Sequence, residues 1–209
     1  MQTINVIFYI AILLMSVVIH EVSHGFVAEY FGDKTARHAG RLTLNPLKHL
    51  DPFGSIVLPI VLYLSAGFAF GWARPVPYNP NNLSNRKWGT IAVAGAGVLA
   101  NFLIAIIFGL VIRFSSGYVP SAGFYFITSS IVIINLALAV FNLVPIPPLD
   151  GSKILFSLLP QSLFPIMDFI EQYGFFLLVI FIIFFSQYLY PILLFLYSFV
   201  VTGHFVGFQ

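Results

Sequence analysis

Long apolar runs, separated by short polar pieces, make up most of this sequence. Three of them, residues 4–31, 89–113 and 124–144, predict membrane-spanning helices, because about 20 apolar residues cross the hydrocarbon core of a bilayer. A group of prolines within 145–148 must end the third helix. The alternating piece 40–46 ends in proline and is compatible with a short strand.

The last quarter of the chain is apolar but interrupted. Residues 153–172 contain two prolines together with Asp168 and Glu171, which favours a position at the membrane interface. Residues 174–202 are apolar, with a kink or break expected between 186 and 191. The pattern as a whole predicts an α-helical polytopic membrane protein with about four to six membrane segments.

Positive charge predicts the topology. Segment 32–51 carries four Lys or Arg residues and segment 73–88 carries three, whereas the N-terminus carries none. Lys and Arg concentrate on the cytoplasmic side, so both segments are expected there. The apolar run 53–72 between them then enters and leaves on one side. We therefore predict that it is re-entrant, a path tolerated only where protein surrounds it.

Composition excludes several classes of protein. Hydrophobic residues make up 59% of the chain and charged residues only 8%, against roughly 25% in a soluble domain. These values exclude a cytosolic enzyme and a disordered chain. The net charge of +2 is too small to drive nucleic-acid binding. Cysteine is absent, which excludes disulfides, thiolate zinc sites and a cysteine nucleophile.

Candidate chemistry lies within the first predicted helix, in the sequence His20-Glu21-Val22-Ser23-His24. Residues four apart share a helix face, so both imidazoles point the same way. Zn²⁺ accepts such nitrogens at about 2.0–2.1 Å. Glu21, beside the first ligand, can act as the general base on a zinc-bound water. The motif therefore predicts a zinc site with His20 and His24 as ligands.

Two estimates argue against coincidence. The numbers of His and Glu in the chain give roughly 0.002 expected occurrences of this pattern. Glu21 also lies roughly 25 Å into a hydrocarbon core about 30 Å thick. An ionisable cluster at that depth is costly and usually functional. The alternative is a pair of packed histidines with a glutamate that extends to the interface.

A third protein ligand is needed, and the residues alone leave several candidates. They are His38, His49, His204, Asp33, Asp51, Asp150 and Asp168. The predicted topology favours Asp150, because the proline-broken segment before it can enter the bundle on the same side as the histidines, and Gly151 permits a tight turn. The alternative is that Asp150 caps the following helix, a common role for aspartate.

Two motifs in this order resemble the signatures of the site-2 protease family, the intramembrane zinc metalloproteases. They are His20 to His24 and the segment Asn142-Leu-Val-Pro-Ile-Pro-Pro-Leu-Asp150-Gly151. Gly97 to Asn101 resembles the family's Gly-xxx-Asn element, with Val98 where the family usually has proline. The resemblance covers residues 4–155, about three quarters of the chain.

The resemblance implies that Asp150 is the third ligand of one Zn²⁺ per chain and that Glu21 is catalytic. It also implies that the pieces near 40–46 and 72–78 form a small membrane-associated β element, which pairs with an unwound substrate. The reaction expected is hydrolysis of peptide bonds within or near transmembrane segments of other proteins. We expect a single membrane-embedded domain over 1–209, with a catalytic core over 4–155 and C-terminal helices over 156–209.

Several expectations concern the surroundings of this centre. The side chains of Asn101 and Asn142 either bond across helices or hold the substrate backbone or the oxyanion. The expected location is the cell membrane, with the active site towards the cytoplasm. No PDZ or CBS module is recognised, and the substrate and oligomeric state are not predicted. The alternative function is a metal-ion transporter or channel that uses the same His and Asp residues.

Overall fold

Nine α-helices occur in residues 2–67, 71–115 and 121–203, the parts of the chain that the computed structural model describes. In chain order they are α1 (Gln2–Tyr30), α2 (Thr35–His38), α3 (Leu58–Ala66), α4 (Arg86–Ser115), α5 (Ala122–Asn142), α6 (Asp150–Leu158), α7 (Phe164–Gln172), α8 (Gly174–Phe184) and α9 (Leu189–Thr202).

Three helices are long and apolar enough to cross a membrane: Asn5–Tyr30 within α1, α4 and α5. They confirm the three predicted spans. Helices α7 and α8 meet at a bend of 68° and count as a fourth span only if the pair crosses as one unit. The break predicted near 186–191 is also present, because a 3₁₀ turn, Ser186–Tyr188, separates α8 from α9.

The bundle is built around α4, which packs against α1, α5, α6 and α9. One apolar core cluster lies between α4 and α5 and contains Ala105, Ile112, Val132 and Leu136. Large apolar side chains such as Phe114 of α4 and Leu64 of α3 are instead exposed on the outer surface. An apolar exterior of this kind is what a bilayer solvates.

Helix α1 runs antiparallel to α4 and parallel to α5. His24 on α1 contacts the Val93 carbonyl, and His20, one turn earlier, packs against Gly97, one turn later on α4. On the α5 side, Tyr9 stacks edge-on with Phe126. Small residues at the contact with α4 allow this close approach of helices.

Segment 53–72 returns to its starting point, as the re-entrant prediction requires. A π-helical turn, Pro52–Val57, leads into α3. The Trp72 N–H donates to the Gly54 carbonyl at 3.1 Å, and the Ser55 hydroxyl donates to the Trp72 carbonyl at 2.7 Å. The apolar helix here is too short to span a bilayer. The side of the membrane on which the two ends lie stays a prediction.

The small β element is not found, because the described parts of segments 40–46 and 72–78 contain no strand. One backbone hydrogen bond ties Arg74 N–H to the His49 carbonyl at 2.8 Å. The buried Arg41 guanidinium donates to the Arg74 carbonyl at 2.6 Å. The prolines at 75 and 77 have no N–H to offer a ladder, so segment 72–78 is extended without forming a strand.

Candidate metal centre

His20 and His24 lie one turn apart on α1 and face the interior of the bundle. Their exposed fractions are 6% and 8%. The two rings meet edge to face, with centroids 4.7 Å apart. The predicted helical spacing therefore places both imidazoles at one buried point, together with the carboxylate of Glu21, whose ligand atom lies within 4.8 Å of theirs.

The loop 143–149 brings Asp150 to the same point. The chain folds back so closely that a Cβ on Gly151 would lie 2.2 Å from the Leu143 carbonyl oxygen. Glycine is needed there for the close approach of two backbone segments. Leu149 is the N-cap of α6, so Asp150 is the first helical residue and not the cap. Its Oδ2 lies 3.0 Å from His20 Nε2 and 3.2 Å from His24 Nε2.

These distances suit zinc. Ligand atoms about 2.0–2.1 Å from a tetrahedral zinc ion are separated from one another by about 3.3 Å. Two imidazole nitrogens and one carboxylate oxygen are a common donor set for a catalytic site, which keeps its fourth position open for water. The three residues therefore fit the metal without a change in fold.

The hydrogen-bond partners of His24 are compatible with a bound metal ion. Its Nδ1 lies 2.6 Å from the Val93 carbonyl oxygen. A carbonyl only accepts, so Nδ1 must carry the hydrogen and the Nε2 of neutral His24 carries a lone pair. That lone pair faces the Asp150 carboxylate, which is itself an acceptor. A metal ion between them satisfies both, and the Val93 carbonyl is the kind of outer partner that fixes a zinc-bound histidine.

Gly97 on α4 provides the space for the His20 ring. A Cβ at this position would lie 2.6 Å from both Cε1 and Nε2 of His20. By contrast, a Cβ on Gly95 would meet nothing within 4 Å among the described residues. The glycine-rich start of α4 therefore contains one position where a side chain would displace a predicted ligand.

Glu21 is held beside the histidines by the extended segment that follows α3. Its Oε2 accepts the Val76 N–H at 2.8 Å. Val76 also packs near Gly25, one turn further along α1. One carboxylate oxygen is thereby fixed, and the other can interact with a water near the ligands. This contact joins the sequence motif to a segment 55 residues away.

A cavity of about 110 Å³ opens at the centre. The side chains that line it are His20, Glu21, His24, Pro75, Val76, Tyr78, Val93, Ala94, Asn142, Pro148, Asp150 and Lys153. Asn142 is thus in the site, with its amide N–H bonded to the Leu138 carbonyl of its own helix at 2.9 Å. Asn101 does not line this cavity and is fully buried one turn beyond Gly97.

A larger cavity of about 750 Å³ adjoins the first, and Tyr78 and Lys153 line both. The Lys153 ammonium lies 5.5 Å from the centroid of the Tyr78 ring. Burial, with the negative charges of Asp150 and Glu171, raises the pKa of Tyr78 above its ordinary value. A neutral phenol and a cation therefore form the wall between the two cavities.

The other candidate ligands have separate roles or lie elsewhere. His49 donates to the Thr43 carbonyl at 2.9 Å, and Asp51 accepts the Gly54 N–H at 2.6 Å. His38 and Asp168 are exposed, Asp168 on the rim of the larger cavity. His204 lies outside the described residues.

Asp33 is also separate from the centre. Its carboxylate accepts hydrogen bonds from Asn79 N–H at 2.6 Å, Asn82 Nδ2 at 2.9 Å and both the N–H and hydroxyl of Thr35. Burial raises the pKa of this carboxyl, but these hydrogen bonds outweigh it and lower the pKa below the ordinary value.

Sequence reasoning missed Val76, Val93 and Lys153 as neighbours of the centre. Val76 and Val93 act through backbone groups, which no side-chain pattern reveals. Lys153 had a usable signal, because it follows Asp150 by three residues and so shares a face of a predicted helix.

Comparisons with known proteins agree with the geometry. The family model "Peptidase family M50" matches residues 8–133 and 111–185. The Bacillus subtilis protein YwhC, a zinc metalloprotease by name, is 40% identical over 194 residues, which cover 87% of this chain and 83% of YwhC. Rip2 of Mycolicibacterium smegmatis, also named as a zinc metalloprotease, is 32% identical over 179 residues, covering 85% and 67%. No solved structure gives a significant match.

Proposed function

The chain belongs to peptidase family M50, and on that premise we propose that His20, His24 and Asp150 bind its catalytic zinc while Glu21 is the general base. Membership of this family makes the chain an intramembrane zinc metalloprotease. The alternative of a metal-ion transporter finds no support in the names of its relatives. The observation that carries the residue assignment is the convergence of two imidazole nitrogens on one oxygen of Asp150, at 3.0 and 3.2 Å.

When bound, zinc lowers the pKa of a coordinated water and polarises the carbonyl to be cleaved. Glu21 accepts the proton of the attacking water and passes it to the leaving amine nitrogen. The Val76 N–H, which donates to one Glu21 oxygen, keeps the carboxylate in place during both transfers. The Asn142 amide lines the same cavity and donates to the substrate backbone or to the developing oxyanion.

The substrate is a transmembrane protein, and its helix must unwind before a peptide bond can reach Glu21. The carbonyls of an intact helix are occupied by intrahelical hydrogen bonds. The extended segment 71–79 lies across the centre through Pro75 and Val76. The carbonyls of this segment that Ser55 and Arg41 do not bind are available to an unwound chain, as in other cases where a peptide lies along an extended edge.

The larger cavity is the route by which water and the polar flank of a substrate approach the centre. Its wall carries Arg86, Lys87, Asp168 and Glu171, and charged side chains of both signs favour a hydrated space. The catalytic core is the part that contains every residue of the centre, about 4–155. We place the centre towards the cytoplasm in the cell membrane, because both lysine- and arginine-rich segments flank it.

The reaction is tested by co-expression with candidate single-span membrane proteins. The native chain should cut one of them within or next to its transmembrane segment, and mass spectrometry should locate the bond. The Glu21→Gln variant should leave the same protein intact. Equal cleavage by both chains would contradict the assignment of Glu21.

The orientation is tested with single cysteines placed at Lys48 and at Asn82. Both should react with a thiol reagent confined to the cytoplasmic side, because segment 53–72 returns to its starting side. A cysteine at Asp168, on the rim of the larger cavity, should react from the same side. Labelling of Lys48 and Asn82 from opposite sides would contradict the re-entrant topology.

A further inference from the structure

A second buried polar cluster lies one helical turn from the metal centre. Its members are Ser16 on α1, Asn101 on α4 and Asn135 on α5, and all three are at most 4% exposed. Asn135 Nδ2 donates to the Ser16 hydroxyl at 2.9 Å and to the Ile131 carbonyl at the same distance. Polar side chains so deeply buried normally have all their hydrogen-bonding atoms paired.

Here several atoms are unpaired. Within the described parts of the chain, no hydrogen-bond partner is found for four of these atoms. They are the Nδ2 and Oδ1 of Asn101, the Oδ1 of Asn135 and the Nδ1 of His20. An unpaired buried polar group costs about 1–3 kcal/mol. These atoms include donors and acceptors in one interior region, which a water molecule with two hydrogens and two lone pairs can match.

The helix register places these atoms near one another. On the antiparallel pair, His24 is level with Val93 and His20 with Gly97, so Ser16 is level with Asn101. Side chains on a helix lean towards its N-terminus. His20 therefore leans towards the level of Ser16, and Asn101 leans towards the level of Gly97. Both side chains approach the space between the two levels.

We propose that Ser16, Asn101 and Asn135 hold a buried water that accepts the Nδ1–H of His20. The inference rests on the proposed function, since a His20 that binds metal through Nε2 carries its hydrogen on Nδ1. Zinc-bound histidines nearly always donate this second N–H to a fixed partner. The Val93 carbonyl accepts this hydrogen from His24, and the buried water accepts it from His20. Asn101 is thus a positioning residue for a ligand.

The test is zinc affinity, measured by competition with a chelator on the purified full chain. Asn101→Leu keeps the volume of the side chain but removes its polar atoms, and zinc affinity should fall about 10- to 100-fold, the usual range for an outer-shell partner. Ser16→Ala should lower it in the same direction. Ser130→Ala is the matched control, because Ser130 is equally buried and its hydroxyl donates to the Phe126 carbonyl of its own helix. It should leave affinity unchanged.

A second measurement is the exchange rate of the His20 Nδ1–H, observed by ¹⁵N NMR of the zinc-loaded protein. This hydrogen should be protected from exchange in the native chain and exchange faster in Asn101→Leu. Asn101→Ser, which restores a polar group and leaves room for water, should recover part of the zinc affinity. Unchanged affinity and exchange in Asn101→Leu would overturn the proposal.

The zinc affinity of His20→Ala distinguishes failure of the buried-water proposal from failure of the proposed metal centre. If His20→Ala abolishes tight zinc binding and Asn101→Leu does not change it, the buried water is wrong and the metal centre stands. If His20→Ala itself binds zinc with native affinity, the ligand assignment and the water that depends on it both fail.

Discussion

Two buried aspartates, Asp33 and Asp150, show how a structural carboxylate differs from the proposed metal ligand. Both are nearly inaccessible, with exposed fractions of 0% and 7%. Asp33 ties the end of α1 to the turn at Asn79 and Asn82 through conventional N–H and O–H donors. Asp150 faces two imidazole nitrogens, and the Nε2 of His24 carries a lone pair when that histidine is neutral. A carboxylate with enough donors stabilises a junction, whereas one that faces other acceptors needs a cation.

The largest expected effect separates these two residues directly. Asp150→Ala removes one of three protein ligands, so zinc affinity should fall by more than about 10²-fold, beyond the range for an outer-shell change. Asp33→Ala should leave zinc affinity nearly unchanged, because Asp33 bonds a different part of the chain. Metal titration with a competing chelator checks both. Native zinc affinity in Asp150→Ala would show that another residue is the third ligand.

The next effect concerns the space beside His20. Gly97→Ala places a Cβ where the His20 ring lies, so the ring must shift and zinc affinity should fall about 10- to 100-fold. Gly95→Ala is the matched control on the same helix. Its Cβ meets open space, and the more favourable helix propensity of alanine should leave stability equal or higher by up to about 1 kcal/mol. Equal zinc affinity in the two variants would contradict the placement of His20 against α4.

A smaller effect is expected on stability at the Asp33 junction. Asp33→Asn removes the negative charge and one acceptor from a buried group with several donors. The free energy of unfolding should decrease by about 1–3 kcal/mol, measured by thermal or denaturant unfolding in detergent. The zinc content should stay that of the native chain. A variant as stable as the native chain would mean that the junction does not depend on the charge.

The smallest effect is the pH dependence of that difference. The pKa of Asp33 is lower in the folded chain than its ordinary value, so its ionised form stabilises the fold. This contribution is complete above the unfolded pKa of about 3.9. It is lost as the pH falls through the lowered folded value. The stability gap between the native chain and Asp33→Asn should therefore be constant near neutral pH and shrink in acid, and unfolding curves over this range measure it. A gap that widens in acid would contradict the assigned direction.

Local patterns in the sequence were sufficient for the three spans and for naming residues that the fold brings together as candidate metal ligands. Apolar run length predicted α1, α4 and α5, and the four-residue spacing placed His20 and His24 on one face. The charge count favoured Asp150, which the structure brings to the same point. Each of these predictions depends on residues that are close in sequence or on the side of the membrane at which a segment ends.

Features that depend on distant backbone groups were not predicted. The sequence predicts a β element that includes the segment near 72–78. Its prolines have no backbone N–H, and the Val76 N–H donates to the Glu21 carboxylate instead of to a neighbouring strand. The sequence leaves Asn101 two roles, a bond across helices or a contact with substrate or oxyanion, and the residue does not line the cavity at the centre. Helix register at an interface decides its position, and no single stretch of sequence contains that information.

In the proposed centre, three residues bind the metal and a fourth moves the proton. Glu21→Gln tests it most directly, with zinc content and cleavage of a verified substrate measured on the same preparation. Glutamine keeps an acceptor oxygen for the Val76 N–H but cannot take the proton from water. We expect about one zinc per chain and cleavage slower by at least about 10²-fold. Cleavage at the native rate, or loss of the zinc, would contradict it.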